Sequence, residues 1–373
     1  MSEYDLLLQG GSVIDPATGR QGRWDVAFAG GKVAAIEERI QAASAARVEA
    51  VTGLWVTPGL IDMHAHVFYG VGESLAVDAG GLARGVTTVA DGGSAGASTF
   101  GAFRRIVSGD RTRVLAWLNL SSIGQADTRV GELMSLLHAD VEAAVETAQA
   151  QADLIVGLKA RLSTYVVGMT CKPVLTLLRQ AADACGLPVM VHVGETGEPL
   201  AEIFPFLRPG DVVSHALTGR RNGLLQADGR IIPEAFAARR AGILFDAARG
   251  RTHLAFPVLR AAVEQDLLPD TLSTDITRFS AADPDFGLPL YGSQLLAMGV
   301  PLPDVIARMT WNAARVMRRE DLGRLQVGGP GDATVLRIES GQFTVRDADG
   351  RTLAMDRRLV AVGVVREGEY VAL

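Results

Sequence analysis

The sequence predicts an α/β fold: a (β/α)8 TIM-like barrel over residues 57–319, with a small β-sandwich domain built from both chain ends, residues 1–56 and 320–373. Three observations predict it. Through the middle of the chain, eight apolar, β-branched segments alternate with Ala- and Leu-rich stretches, the pattern of parallel strands with helical crossovers. Both ends read instead as short strands punctuated by Gly-rich turns, and chain termini commonly lie close together. The length, 373 residues at 48% hydrophobic composition, suits one large barrel with an appendage.

Taken in order, the first strands are LLLQGGSVID, DVAFAGG and KVAAIEE. The barrel strands follow as VTPGLIDMHAH (56–66), GVTTVADGG (85–93), RVLAWLNLSS (113–122) and DLIVGLKAR (153–161). LPVMVHVGE (187–195), DVVSHALTG (211–219), GILFDAARG (242–250) and TLSTDITR (271–278) complete the set. Between them HADVEAAVETAQAQA, KPVLTLLRQAADACG and PEAFAARRAG repeat apolar residues every three or four positions and read as helices. DATVLRIESGQFTVRDADG and RLVAVGVVREGEYVAL return to the strand pattern. The 42 glycines fit many tight loops between short elements.

Charge and composition exclude several function classes. The formal net charge is −6, from 36 basic and 42 acidic residues, with no basic patch, which argues against nucleic acid. The two cysteines, Cys171 and Cys185, form no C-x-x-C pair and read as helix-packing residues, so a reducing, cytoplasmic setting is expected. The opening MSEYDLLLQG lacks the basic and long apolar regions of a signal peptide, and no apolar run reaches the roughly 18 residues of a membrane helix. The expected partner is a small-molecule substrate, with neither nucleic acid nor membrane; a homo-oligomer is left open.

In such a barrel, active sites gather at the C-terminal ends of the strands. There the first strand carries His64 and His66, the fourth Lys159, the fifth His192, the sixth His215 and the eighth Asp275; four of the six histidines fall at these ends. His64 and His66 stand at i and i+2, the same face of a strand, and can chelate one ion. His192 and His215 add imidazoles and Asp275 an oxygen, a donor set that suits Zn²⁺ or a similar divalent cation. A His-x-His pair alone reads equally as two hydrogen-bonded structural histidines; the further strand-end donors favour the metal. Burial and positive neighbours strip the proton from an amine at Lys159, and a neutral amine combines with CO₂ to give a carbamate able to bridge two metals. Pairing of Lys159 with Asp153 or Glu195 is the simpler alternative on spacing alone.

PGLIDMHAH, GLKAR, VHVGE, VVSHAL and STDIT, in this order, resemble the amidohydrolase superfamily, and within it the dihydroorotase-like amidohydrolase/deacetylase metallohydrolase branch. GVTTVADGGSAG, LNLSSIG and WNAARVM (311–317) match the same branch, so the resemblance covers nearly the whole chain. It implies two divalent ions, with zinc expected. His64, His66 and Asp275 would hold the more buried ion, His192 and His215 the other, and carboxylated Lys159 would bridge them. It implies a hydrolase in which a metal-bridging hydroxide attacks the amide or ester bond of a small acylated substrate, an N-acyl amino acid or an acetylated α-hydroxy acid. Asp275 is then the catalytic proton carrier. A cyclic-amide hydrolase of the dihydroorotase or hydantoinase kind shares every ligand and is the alternative; a non-enzymatic scaffold is disfavoured because all six ligand positions are filled.

One departure stands out. This branch shows Gly-His-Gly after the FD dipeptide of the seventh strand, where this chain has FDAARGRTHLAF, with Arg249, Gly250 and, further on, His253. Arg249 and Arg161 read either as carboxylate-binding guanidiniums or as structural charges. Ser94, in a Gly-rich loop, and Tyr69, just past His66, are the other candidate substrate contacts. His138 stands alone at the start of a helical stretch and reads as solvated or capping.

Overall fold

A computed structural model describes residues 2–373. The chain opens with five strands: β1 (Tyr4–Asp15), β2 (Arg20–Ala29), β3 (Lys32–Glu37), β4 (Ala45–Ala50) and β5 (Trp55–Pro58). Seven follow with helices between them: β6 (Leu60–Ala65), β7 (Val86–Asp91), β8 (Arg113–Asn119), β9 (Ile155–Arg161), β10 (Val189–His192), β11 (Val212–Ser214) and β12 (Leu244–Asp246). Three more end the chain: β13 (Ala333–Arg346), β14 (Thr352–Arg366) and β15 (Glu369–Ala372).

Both chain ends enter one eight-stranded sheet, ordered β15-β14-β13-β5-β1-β2-β3 with β4 paired to β1. The β1–β2 register slips between Leu8 and Gly11, so the first half of β1 pairs with β4 and the second half with β5. The sheet wraps a core of Leu6, Leu8, Val13, Val26, Phe28, Val56, Val335 and Val365. The segment read as one barrel strand, 56–66, is divided: β5 belongs to this sheet and β6 to the barrel. Pro58 lacks the N–H to continue a ladder, which separates them.

β6 through β12 form a seven-stranded sheet, parallel throughout and in chain order. The eighth stave, residues 271–276, closes the ring without forming a regular strand. It makes isolated parallel bridges, Thr271 to Asp246 and Ile276 to Ala65. Main-chain bonds hold it on both sides, the Asp275 amide to the His64 carbonyl at 2.7 Å and the Arg249 amide to the Ser273 carbonyl at 3.2 Å, and side chains add to them. Asp62 accepts from the Thr274 amide at 3.0 Å and from its hydroxyl, and Asp246 accepts from Thr271 and Ser273 at 2.8 and 2.7 Å.

Ile61, Met63, Leu115, Trp117, Val156, Met190 and Val212 fill the barrel floor, which helix Trp311–Val316 plugs with Ala313 and Ala314. Outside, amphipathic helices cover the staves; Lys172–Cys185 buries Val174, Leu175, Leu178, Ala181 and Ala182 and stops at Gly186 in the left-handed region. Cys171 and Cys185 are free thiols, buried and half-buried. Among the described residues no helix is long and apolar enough to cross a membrane.

Two joints fasten the end sheet to the barrel. At the base, Asp332 pairs with Arg113 at the start of β8 and, at 3.4 Å, with Arg366 of β14. At the other end the β13–β14 hairpin tip reaches the loop after β12: Asp347 accepts from the Phe256 amide at 2.9 Å, and the Ala348 amide donates to the Leu254 carbonyl at 2.9 Å.

Candidate metal centre

β6 aims two imidazoles into the barrel only because its alternation breaks. Ile61 and Met63 face the floor while Leu60 and Ala65 face the outer layer. Strict alternation from Leu60 would turn His64 outward. The β6–β7 register shifts between Asp62 and Ala65, and the change of phase brings His64 and His66 together on the inside.

The other staves bring their polar ends to meet them. Lys159 Nζ lies 3.0 Å from His64 Nε2 and 3.2 Å from Met190 Sδ. Asp275 Oδ1 is 3.1 Å from His66 Nε2 and 3.5 Å from His64 Nε2, and its Oδ2 is 4.0 Å from His215 Nε2. The rings of His192 and His215 lie 4.1 Å apart between centroids. Two residues hold left-handed backbone that only glycine adopts freely, His215 at φ 64° and Asp275 at φ 52°. Such strain persists where the surroundings over-determine it, and it concentrates at functional sites.

The supporting contacts orient each ring. His64 Nδ1 meets Ser214 Oγ at 2.8 Å, and that hydroxyl donates to Asp246 at 3.0 Å. His66 Nδ1 meets Ser94 Oγ at 2.8 Å. His215 Nδ1 donates to the Ala248 carbonyl at 2.6 Å, which leaves Nε2 as a bare lone pair. Asp91 accepts from the Gly93 and Ser94 amides and from Val67, pinning the loop that carries Ser94 against the one that follows His66. A side chain at Gly93, φ +90°, would lie 2.8 Å from Lys159 Cγ, so this loop needs glycine to clear the lysine.

Electrostatics put the groups in ligand form. Burial holds His64, His192 and His215 well below the usual imidazole value, so they are neutral at pH 7. Burial also draws the Lys159 ammonium down to about 7, against the pull of Asp275 and Asp246. For Asp275 burial acts the other way, but the His66 hydrogen bond and the nearby His64 and His215 outweigh it and hold the carboxyl well below its ordinary range. Nε2 of His192 and Nε2 of His215 are buried with no hydrogen-bond partner. Two sets, His64–His215–Asp275 and His192–His215–His253, each bring ligand atoms within 4.8 Å of one another. Orphaned buried imidazoles beside a carboxylate are a donor set that fits a divalent cation.

A cavity of about 330 Å³ opens above these groups, lined by His66, Ser94, Arg161, His192, His253 and Asp275, among others. Arg161 is fixed by a two-pronged pair with Glu132, at 2.7 and 2.5 Å. Ser94 lines the cavity while holding His66. The Arg249 guanidinium turns to the Arg346 carbonyl at 2.8 Å and stacks over Phe286 and Tyr291, as a structural charge would, and Arg251 lines the cavity. Tyr69 is 63% exposed and outside the lining. His138 meets the Glu132 carbonyl and lies outside the lining. The carboxylates once offered to Lys159 are elsewhere, Asp153 on Arg104 and Glu195 exposed. His253, Ser214 and Asp246 were not singled out as site residues. His253 gives no signal because it sits mid-loop, and Asp246 was visible only as the second letter of FD.

The amidohydrolase family pattern matches residues 55–349. A deacetylase of Brucella anthropi is 34% identical over 331 residues, covering 88% of this chain and 82% of its own. A solved dihydroorotase superposes with TM-score 0.90 at 32% identity, over 98% of each chain. A solved adenine deaminase gives TM-score 0.91 at 28% identity, over 99% of this chain and 100% of its own. With its closed barrel, its converging histidines and this breadth of similarity, the chain belongs to the amidohydrolase family and is a hydrolase.

Proposed function

We propose that this chain hydrolyses the amide or ester bond of a small acylated carboxylate, an N-acyl amino acid or an acetylated α-hydroxy acid, with a binuclear divalent metal centre. The observation that carries the reading is the convergence of His64, His66, Lys159, His192, His215 and Asp275 beneath a cavity walled by Arg161. In this reading His64, His66 and Asp275 would hold one ion, His192 and His215 the other, and Lys159, as its carbamate, would supply a shared anionic ligand. Bound there, divalent ions supply Lewis acidity toward a carbonyl and lower the pKa of water.

The protein's own groups do the remainder. Among the described residues no carboxylate lies within salt-bridge distance of Lys159, so its neutral amine is open to CO₂; carboxylation forms one N–C bond, releases one proton and leaves an anion with two oxygens. Asp275, ionised and beside both histidines of β6, accepts the proton that an attacking water gives up and returns it to the leaving nitrogen or oxygen. Arg161 commits Nε and Nη2 to Glu132 and keeps Nη1 for a substrate carboxylate. The deacetylase relative supports this acyl-transfer reading.

The dihydroorotase likeness favours a second reading, opening of a cyclic amide, which uses the same centre. A panel of N-acyl-D-amino acids, acetyl-α-hydroxy acids and cyclic ureides separates the two. Turnover of the open-chain acyl compounds is expected; turnover confined to the rings would overturn the ranking.

A further inference from the structure

The loop after β12 lacks the Gly-His-Gly that the family resemblance implies there, and its geometry offers another histidine. Arg249 stands where the signature histidine is expected and points outward. Four residues on, His253 folds back over the centre. Its ring centroid is 3.9 Å from that of His215 and 4.8 Å from that of His192. Nε2 of His192, Nε2 of His215 and Nδ1 of His253 are each buried without a hydrogen-bond partner. One nitrogen from each of the three rings lies within 4.8 Å of the others.

A buried nitrogen left unmet costs free energy, and three in one small volume call for a shared partner. His215 presents a bare lone pair there, since its Nδ1 proton is spent on Ala248. A cation takes one lone pair from each ring, which neutral His192 and His253 offer in the matching tautomer, and so satisfies all three nitrogens at once. Ligand nitrogens of the three rings already lie within 4.8 Å of one another, and imidazole nitrogen is a usual zinc ligand.

The loop is shaped to deliver this ring. A side chain at Gly250, φ +52°, would lie 2.6 Å from Asp275 Oδ2 and 2.9 Å from His253 Cδ2, so the backbone passes directly over the centre. Leu254 donates to the Arg249 carbonyl at 3.2 Å, closing the turn, and Gly250 donates to the Thr274 carbonyl at 3.0 Å.

We propose that His253 is a third imidazole ligand to the ion held by His192 and His215, so that this site takes three neutral nitrogens from the protein. The proposal rests on the binuclear reading above and adds to it a ligand from the loop after β12. Three neutral imidazoles favour a borderline cation such as zinc over magnesium or manganese.

The test titrates Co²⁺, a spectroscopic stand-in for zinc, into the full metal-free chain, wild type and His253→Phe; phenylalanine keeps the ring volume without a donor. Affinities come from chelator competition, and bound imidazoles are counted by their hyperfine-shifted N–H proton resonances. We expect two ions in the wild type. In the variant one ion should bind at least tenfold more weakly, with one shifted imidazole resonance lost and the other site unchanged. Retention of that other ion shows that the variant is folded. Equal affinities and an unchanged resonance set would sink the ligand role, as would lost turnover with both ions held as in wild type. A wild type that binds a single ion, weakened in His253→Phe, overturns the two-ion reading but sustains this one; a wild type that binds none overturns both.

Discussion

Lys159 is a buried amine whose contacts are an imidazole and a thioether, an environment that suits no ammonium. Its proton leaves near pH 7, whereas His64, His192 and His215 are already neutral there. Activation of metal-free protein by bicarbonate and zinc should therefore speed up as pH rises from 6 to 8, following the neutral amine, which falls about tenfold per pH unit below its pKa. A rate independent of pH across that window would exclude the amine as the slow partner. Lys159→Ala should abolish activity, with partial rescue by short carboxylates. Asp275→Asn should keep its ions by direct metal analysis while losing about 10²–10⁴-fold in turnover; wild-type rates would remove Asp275 as proton carrier. The residues that converge were legible one by one, because each is a polar group at the end of an apolar run. His253 was not, since a loop has no periodicity and its neighbours lie far away in sequence. Nor was the outward turn of Arg249, decided by Phe286, Tyr291 and the Arg346 carbonyl, all from later segments.

Among the elements, β6 and the eighth stave differ most from the pattern read in the sequence. The i, i+2 rule placed His64 and His66 on one face, as they are, but the register shift that turns that face inward leaves no mark in the letters. TLSTDITR alternates like a strand, yet Thr271, Ser273 and Thr274 spend their side chains on Asp246 and Asp62, and these contacts reinforce main-chain bonds too irregular to make a ladder. Asp62→Ala strips the acceptor from the Thr274 and His64 amides. Urea unfolding should show a loss of about 1–3 kcal/mol, and amide exchange at Thr274 and Asp275 should quicken. Unchanged exchange would mean the main-chain bridges alone hold the stave. Ser94→Ala removes the partner of His66 Nδ1 and should weaken metal binding about 10–100-fold by chelator competition, without moving the unfolding midpoint of the metal-free protein by much.

At the scale of the molecule, the two β-rich ends announced a common sheet, and the repeated strand–helix pattern announced the barrel. What composition could not place was the seam, because Trp55–Pro58 is as apolar as the barrel strand it precedes. The base of that seam is electrostatic: Asp332→Ala leaves Arg113 and Arg366 facing each other without their shared carboxylate and should destabilise the fold by about 3 kcal/mol in denaturant unfolding. Turnover per folded molecule should stay at the wild-type level, since Arg113 begins a strand whose far end faces the cavity. The opposite end of the seam has a different consequence. The hairpin tip at Asp347 and Ala348 grips Phe256 and Leu254, and the Arg346 carbonyl clasps Arg249, so the ring of His253 hangs between three handholds supplied by the chain's last strands. The appendage is thus a buttress for the reaction chamber, gripping its roof from outside the barrel.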